Sequence, residues 1–170
     1  MTQNRSVGKH ASAIGHMHRR SAEVKFKKSD GGRYKAGWTG KRAGDCVARA
    51  IAIGLDIPYK QVRKELDALT KEMTGGFDTT TNNGTTAPIY HRFLVNHGWE
   101  PVLTKGHYLK DLPRQGTYFA VMTGHVAAVI DDTLYDAWDS RRCRRTKCGS
   151  PVLKGYYQPA AKNAVNGNLI

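Results

Sequence analysis

A strand, a pair of aspartates and a returning strand constrain this chain most. Tyr118 to Met122 and His125 to Ile130 flank a Thr123-Gly124 break, and both carry strand-forming residues. Asp131-Asp132 reads as a two-residue turn, and Thr133-Leu134-Tyr135-Asp136-Ala137-Trp138-Asp139 as the strand that comes back. That turn length sets the register. Ile130 faces Thr133, Ala127 faces Asp136, and His125 faces Trp138. Because side chains alternate along a strand, Asp136 shares the His125 face and Asp139 points away. A three-residue turn, or a bulge after Trp138, would instead bring Asp139 opposite His125. Both acids are therefore candidates to orient this histidine, with Asp136 preferred.

A second feature supplies a group for the histidine to act on. Gly44-Asp45 halts the preceding segment, and Cys46-Val47-Ala48-Arg49-Ala50-Ile51-Ala52 reads as a buried helix. With Asp45 as N-cap, Cys46 is the first helical residue. The first N–H groups of a helix lack internal partners and carry partial positive charge, which favours a thiolate. Taken singly, Cys46 reads as a small core residue and His125 as a satisfied sheet histidine. Taken in order, with an acid in register, they form a nucleophile, a base and an orienting group.

These segments resemble the papain-fold cysteine hydrolases. The likeness is to the compact branch of bacteriocin-leader peptidases and transglutaminase-like enzymes, and most of all to small bacteriophage-encoded proteins of that type. Gly44-Asp45-Cys46, Gly124-His125-Val126 and Tyr135-Asp136-Ala137-Trp138-Asp139 carry it. The resemblance implies an α+β, papain-like fold: a helical half led by Cys46, packed on a twisted antiparallel sheet from Trp99 onward. It also implies attack of Cys46 on a protein or peptide carbonyl, with hydrolysis of a peptide or isopeptide bond or acyl transfer to an amine. No cofactor or metal is expected. One departure stands out. Papain-like enzymes often place a Gln before the cysteine, and Trp38 to Ala43 holds neither Gln nor Asn. The second oxyanion donor would then come from Thr39, Lys41 or a backbone amide.

The charge is concentrated at the ends. Residues 1–42 hold eleven Lys or Arg against Glu23 and Asp30, and residues 140–170 hold seven against none. The middle, 43–139, is mildly acidic. This divides the chain into a basic arm with a β-hairpin over 1–42, a catalytic domain over 43–158 and a tail over 159–170. In the hairpin, Glu23 to Lys28 would pair with Arg33 to Trp38 across the Ser29-Asp30-Gly31-Gly32 turn. The basic ends point to nucleic acid or an acidic protein as a further partner. Arg141, Arg142, Arg144 and Arg145 are the densest candidates for phosphate binding. An inactive papain-like scaffold that binds nucleic acid, or sits in a virion, is the competing reading.

The remaining signals are structural. His10, His16 and His18 lack companions at ligand spacing, as does the pair Cys143 and Cys148 among its arginines, so neither group reads as a metal site. Helices are expected from Ile57 to Met73 and from Thr86 to Asn96, then a strand from Trp99 to Leu103. The polar stretch 74–86 reads as a loop at the cleft edge or a plain linker. No apolar run approaches the roughly eighteen residues of a membrane span, and no secretory signal is visible. An odd cysteine count fits a reducing cytoplasm, which for a phage protein is the host's, with the virion as the other location.

Overall fold

The structure is a computed structural model that describes residues 23–40, 44–76, 84–142 and 151–161. Over the described residues it is α+β, with a six-stranded sheet and three helices on one of its faces. In chain order the elements are β1 (Lys25–Lys28), α1 (Cys46–Leu55), α2 (Tyr59–Thr74), α3 (Ala87–Asn96), β2 (Trp99–Leu103), β3 (Thr117–Met122), β4 (His125–Ile130), β5 (Thr133–Asp136) and β6 (Leu153–Pro159). A short 3-10 turn, Leu109–Asp111, precedes β3.

The strand order is β1-β5-β4-β3-β6-β2. All neighbours are antiparallel except β1, which runs parallel to β5 with Lys25 opposite Thr133. From Trp99 onward the strands are antiparallel to one another, as expected, and β1 makes the sheet as a whole mixed. One expectation is corrected: the hairpin over 23–38 does not form. Residues 31–37 are turns instead of a returning strand. Gly31, at φ +63°, sits where an added Cβ would lie 2.8 Å from the Arg49 carbonyl oxygen. The segment is thus folded down over α1, and Trp38 packs edge-on to Tyr59 of α2. A second strand there would pull Trp38 away from Tyr59 and expose the ring. Over its described part the basic segment before residue 42 is built into the fold, β1 in the sheet and the turns after it over α1.

Alternation along the strands sorts the core into two layers. Phe119, Val126, Trp99 and Tyr157 pack with Val47, Ile51, Val62, Leu66 and Phe93 of the helices. Tyr118, Ala120, Met122, Ala127, Val129 and Leu134 face the other way, onto Val24, Leu109 and Leu112. The central strand β4 is buried on both faces, which explains its unbroken run Val126-Ala127-Ala128-Val129. Its small residues let α1 lie close. Among the described residues, no helix is long and apolar enough to cross a membrane.

Candidate active site

The turn between β4 and β5 has two residues, Asp131 at φ 45° and Asp132 at φ 60°. Both lie in the left-handed region that a tight hairpin requires and that Asp tolerates. Ile130 therefore faces Thr133, and Ala128 faces Tyr135. The ladder then stops. In register, the next hydrogen-bonded pair would be Val126 with Ala137. The strands part there, and the two freed amides take other work. The Val126 N–H donates to the Cys46 sulfur. The Ala137 N–H donates to Asp136 Oδ1 at 2.7 Å.

Into this opening the structure brings Cys46, His125 and Asp136. His125 Nε2 meets Asp136 Oδ2 at 2.5 Å, and the ring also hydrogen-bonds the Cys46 thiol. With Nε2 committed to the acid, Nδ1 is the nitrogen left for sulfur. Ser140 Oγ donates to Asp136 Oδ2 at 2.6 Å, so the buried carboxylate is held from two sides. Trp138, half exposed, packs its ring 5.2 Å from that of His125. The His125 side chain keeps 13% of its surface and Cys46 is half-buried, which leaves both a path to solvent. Asp139 is elsewhere: its carboxylate takes both prongs of Arg141, at 2.8 Å each. The two-residue turn is the reason, since the alternative needed a longer turn or a bulge.

The electrostatics favour a thiolate–imidazolium pair. Burial raises the thiol. The hydrogen bond and positive charge of His125, the Val126 amide and the Arg49 guanidinium outweigh it, and Cys46 titrates below its ordinary 9.0. Burial lowers the imidazole, yet the Asp136 and Cys46 hydrogen bonds prevail and push His125 up to about 9. Tyr90 of α3 stands close enough that burial first, and then the Cys46 charge, hold its phenol above the ordinary value.

Asp45 departs from its expected part. It is the residue before α1, but its side chain makes no capping bond to the helix. Its carboxylate is fully buried and receives Arg33 Nε at 2.8 Å, Arg49 Nη1 at 2.6 Å and the Tyr59 hydroxyl. The first-turn amides, including that of Cys46, are left without a side-chain cap. Arg49 also reaches toward the acid, with Nη2 4.0 Å from Asp136 Oδ1. It thus links the start of the cysteine helix to the carboxylate behind the histidine. Arg33, Arg49, Tyr59, Tyr90 and Ser140 were not singled out by sequence. Only Arg49 carried a signal, one helical turn after Asp45.

The arginine cluster is only partly described. Arg141 donates to the Val24 carbonyl at 2.9 Å as well as to Asp139, and its guanidinium lies over the Phe26 ring. It is engaged within the fold. Arg142 is exposed. Arg144, Arg145, Cys143 and Cys148 lie outside the described residues, as do Lys41, the three N-terminal histidines and most of the polar loop. Thr39 is described and exposed. Comparison with protein-family models, curated proteins and solved structures found no match.

Proposed function

We propose that the chain is a papain-like cysteine hydrolase that cleaves a peptide or isopeptide bond, with Cys46 as nucleophile, His125 as acid and base, and Asp136 as the orienting acid. One observation carries this reading: the unbroken hydrogen-bond chain from Cys46 through His125 to Asp136, at the uncapped start of a helix. A satisfied sheet histidine needs one partner. This one has an acid on one nitrogen and a thiol on the other.

The steps follow from that arrangement. The Cys46 thiolate attacks the carbonyl carbon, and the oxygen takes up the negative charge. The backbone N–H of Cys46 is one donor available to it. As the C–N bond breaks, protonated His125 gives its proton to the departing amine, leaving a thioester and neutral imidazole. Water then loses a proton to His125 as its oxygen attacks the thioester. Sulfur leaves as thiolate, and the acid product departs. An amine in place of water gives acyl transfer with the same proton movements. Asp136 keeps the ring oriented and stabilises the imidazolium throughout. The resemblance to bacteriophage proteins supports the host cytoplasm or the virion as the location of such an enzyme.

An activated ester tests this without knowledge of the substrate. A p-nitrophenyl ester should release p-nitrophenolate in a burst of about one equivalent and leave the acyl group on Cys46, located by peptide mass mapping. His125→Ala should slow that acylation by about a hundredfold or more. Acylation of folded Cys46 no faster than of the unfolded chain would end the proposal.

A further inference from the structure

Away from Cys46, an open groove of about 730 Å³ runs between β1 and β5, the turns after β1, the end of α1 and the start of α2. Four lysines are among its lining residues: Lys27 and Lys28 from β1, Lys35 from the turn, and Lys60 from α2; the Lys27 ammonium lies over the Tyr135 ring, 5.4 Å from its centre. The one acid in the lining is Asp56. All four lysines are exposed, and among the described residues β1 is the edge of the sheet. The first turn of α2 brings no acid, and no side chain caps it, so its partial positive charge adds to theirs. Tyr34, which precedes Lys35 in the chain, lies outside the groove's lining and is 72% exposed. Asp30, on the turn after β1, is occupied by the amides of Gly32 and Tyr34, and Asp132, two residues beyond the lining Ile130, by Arg114.

We propose that this groove binds the sugar–phosphate backbone of a single-stranded nucleic acid, with Lys27, Lys28, Lys35 and Lys60 on phosphates and Tyr34 stacked on a base. At about 730 Å³ the groove is too open and too large for one carboxylate. Lysine ammonium groups act as point charges that track a phosphate backbone without demanding a fixed carboxylate geometry. A cationic channel with an exposed aromatic ring beside it is the arrangement that holds single strands irrespective of sequence. Arg141, engaged by Asp139, is not part of the groove's lining, and the site is independent of the hydrolase reading.

The test uses the full chain and a short fluorescein-labelled single-stranded oligonucleotide of mixed sequence, followed by fluorescence anisotropy over a range of salt. Replacing Lys28, Lys35 and Lys60 together by Gln should weaken binding by about tenfold or more. It should also flatten the salt dependence by about two units of slope, near 0.7 for each phosphate no longer neutralised. A control carrying Lys71→Gln, Lys105→Gln and Lys154→Gln loses the same charge outside the groove and should stay within about threefold of the parent. Tyr34→Ala, which changes no charge, should weaken binding about fivefold or more. Circular dichroism checks that each variant is folded. Equal losses from both triple variants, no loss from either, or displacement by polyglutamate as effective as by unlabelled oligonucleotide would overturn the proposal. The last of these would make the groove a site for an acidic protein.

Discussion

Asp45 illustrates how much one side chain can do out of sight of the sequence. A buried carboxylate is tolerable only when donors surround it, and Arg33, Arg49 and Tyr59 supply them from three segments. Burial first, and then the Asp45 hydrogen bond, push the Tyr59 phenol up to about 12. Asp45→Ala would leave two arginines facing each other without their acid. It is expected to cost roughly 3–5 kcal/mol, measured as a fall in the urea midpoint against the parent chain. A change below about 1 kcal/mol would show that the cluster is not built as described. The expectation of a side-chain cap failed here because capping rules see only the next three residues. Arg33 and Tyr59 lie 12 and 14 positions away. Asp136 was legible for the opposite reason: its position depends on a turn of two residues and on strand alternation, both local. The titrations carry a sign that can be checked. His125 rises from 6.5 to about 9, so the stability its charged form contributes is complete below about 6.5 and is lost as pH climbs through about 9. Cys46 falls below 9.0, so its contribution is complete above that value and is lost as pH drops through its folded pKa. The ion pair exists in the window between the two folded values.

The cysteine helix has to lie close to the sheet for its first residue to reach the end of β4. Gly54 in α1 permits this: an added Cβ would stand 2.4 Å from Phe119 Cε1, a ring with no exposure at all. Gly54→Ala should therefore cost about 1–3 kcal/mol by overpacking, even though alanine is the better helix former. Combining it with Phe119→Leu should give a smaller total loss than the sum of the two single changes, read from urea melts of all four chains. Strict additivity would mean that the helix does not press on that ring. The helices and β2 to β5 were legible at this scale because their apolar spacing matches the element that formed. The segment Arg33 to Trp38 was not. Its alternation suits a strand, yet Gly31 and Gly32, both at positive φ, turn it onto α1, and Trp38 finds a better place against Tyr59. β1 is the strand its alternation suggests, but its neighbour is β5 rather than the next segment, and that pairing joins residues more than a hundred positions apart.

Charge divides the whole molecule less cleanly than it divides the sequence. The basic segment before residue 42 reads as an arm, but β1 completes the sheet beside β5 and Arg33 closes on Asp45. A chain lacking residues 1–40 should lose the cooperative urea transition of the full chain, because it uncovers the β5 edge and strips the buried acid of a partner. An unchanged transition would make the segment dispensable. The same assembly joins two halves that the sequence holds some eighty positions apart: a helix start carrying Cys46, and the parted end of the β4–β5 ladder carrying His125 and Asp136. The rate of Cys46 alkylation by iodoacetamide as a function of pH, in the parent and in His125→Ala, tests that junction most directly. The parent thiol should titrate below 9.0, and the midpoint of the variant should move upward. Coincident curves at or above 9.0 would contradict the triad.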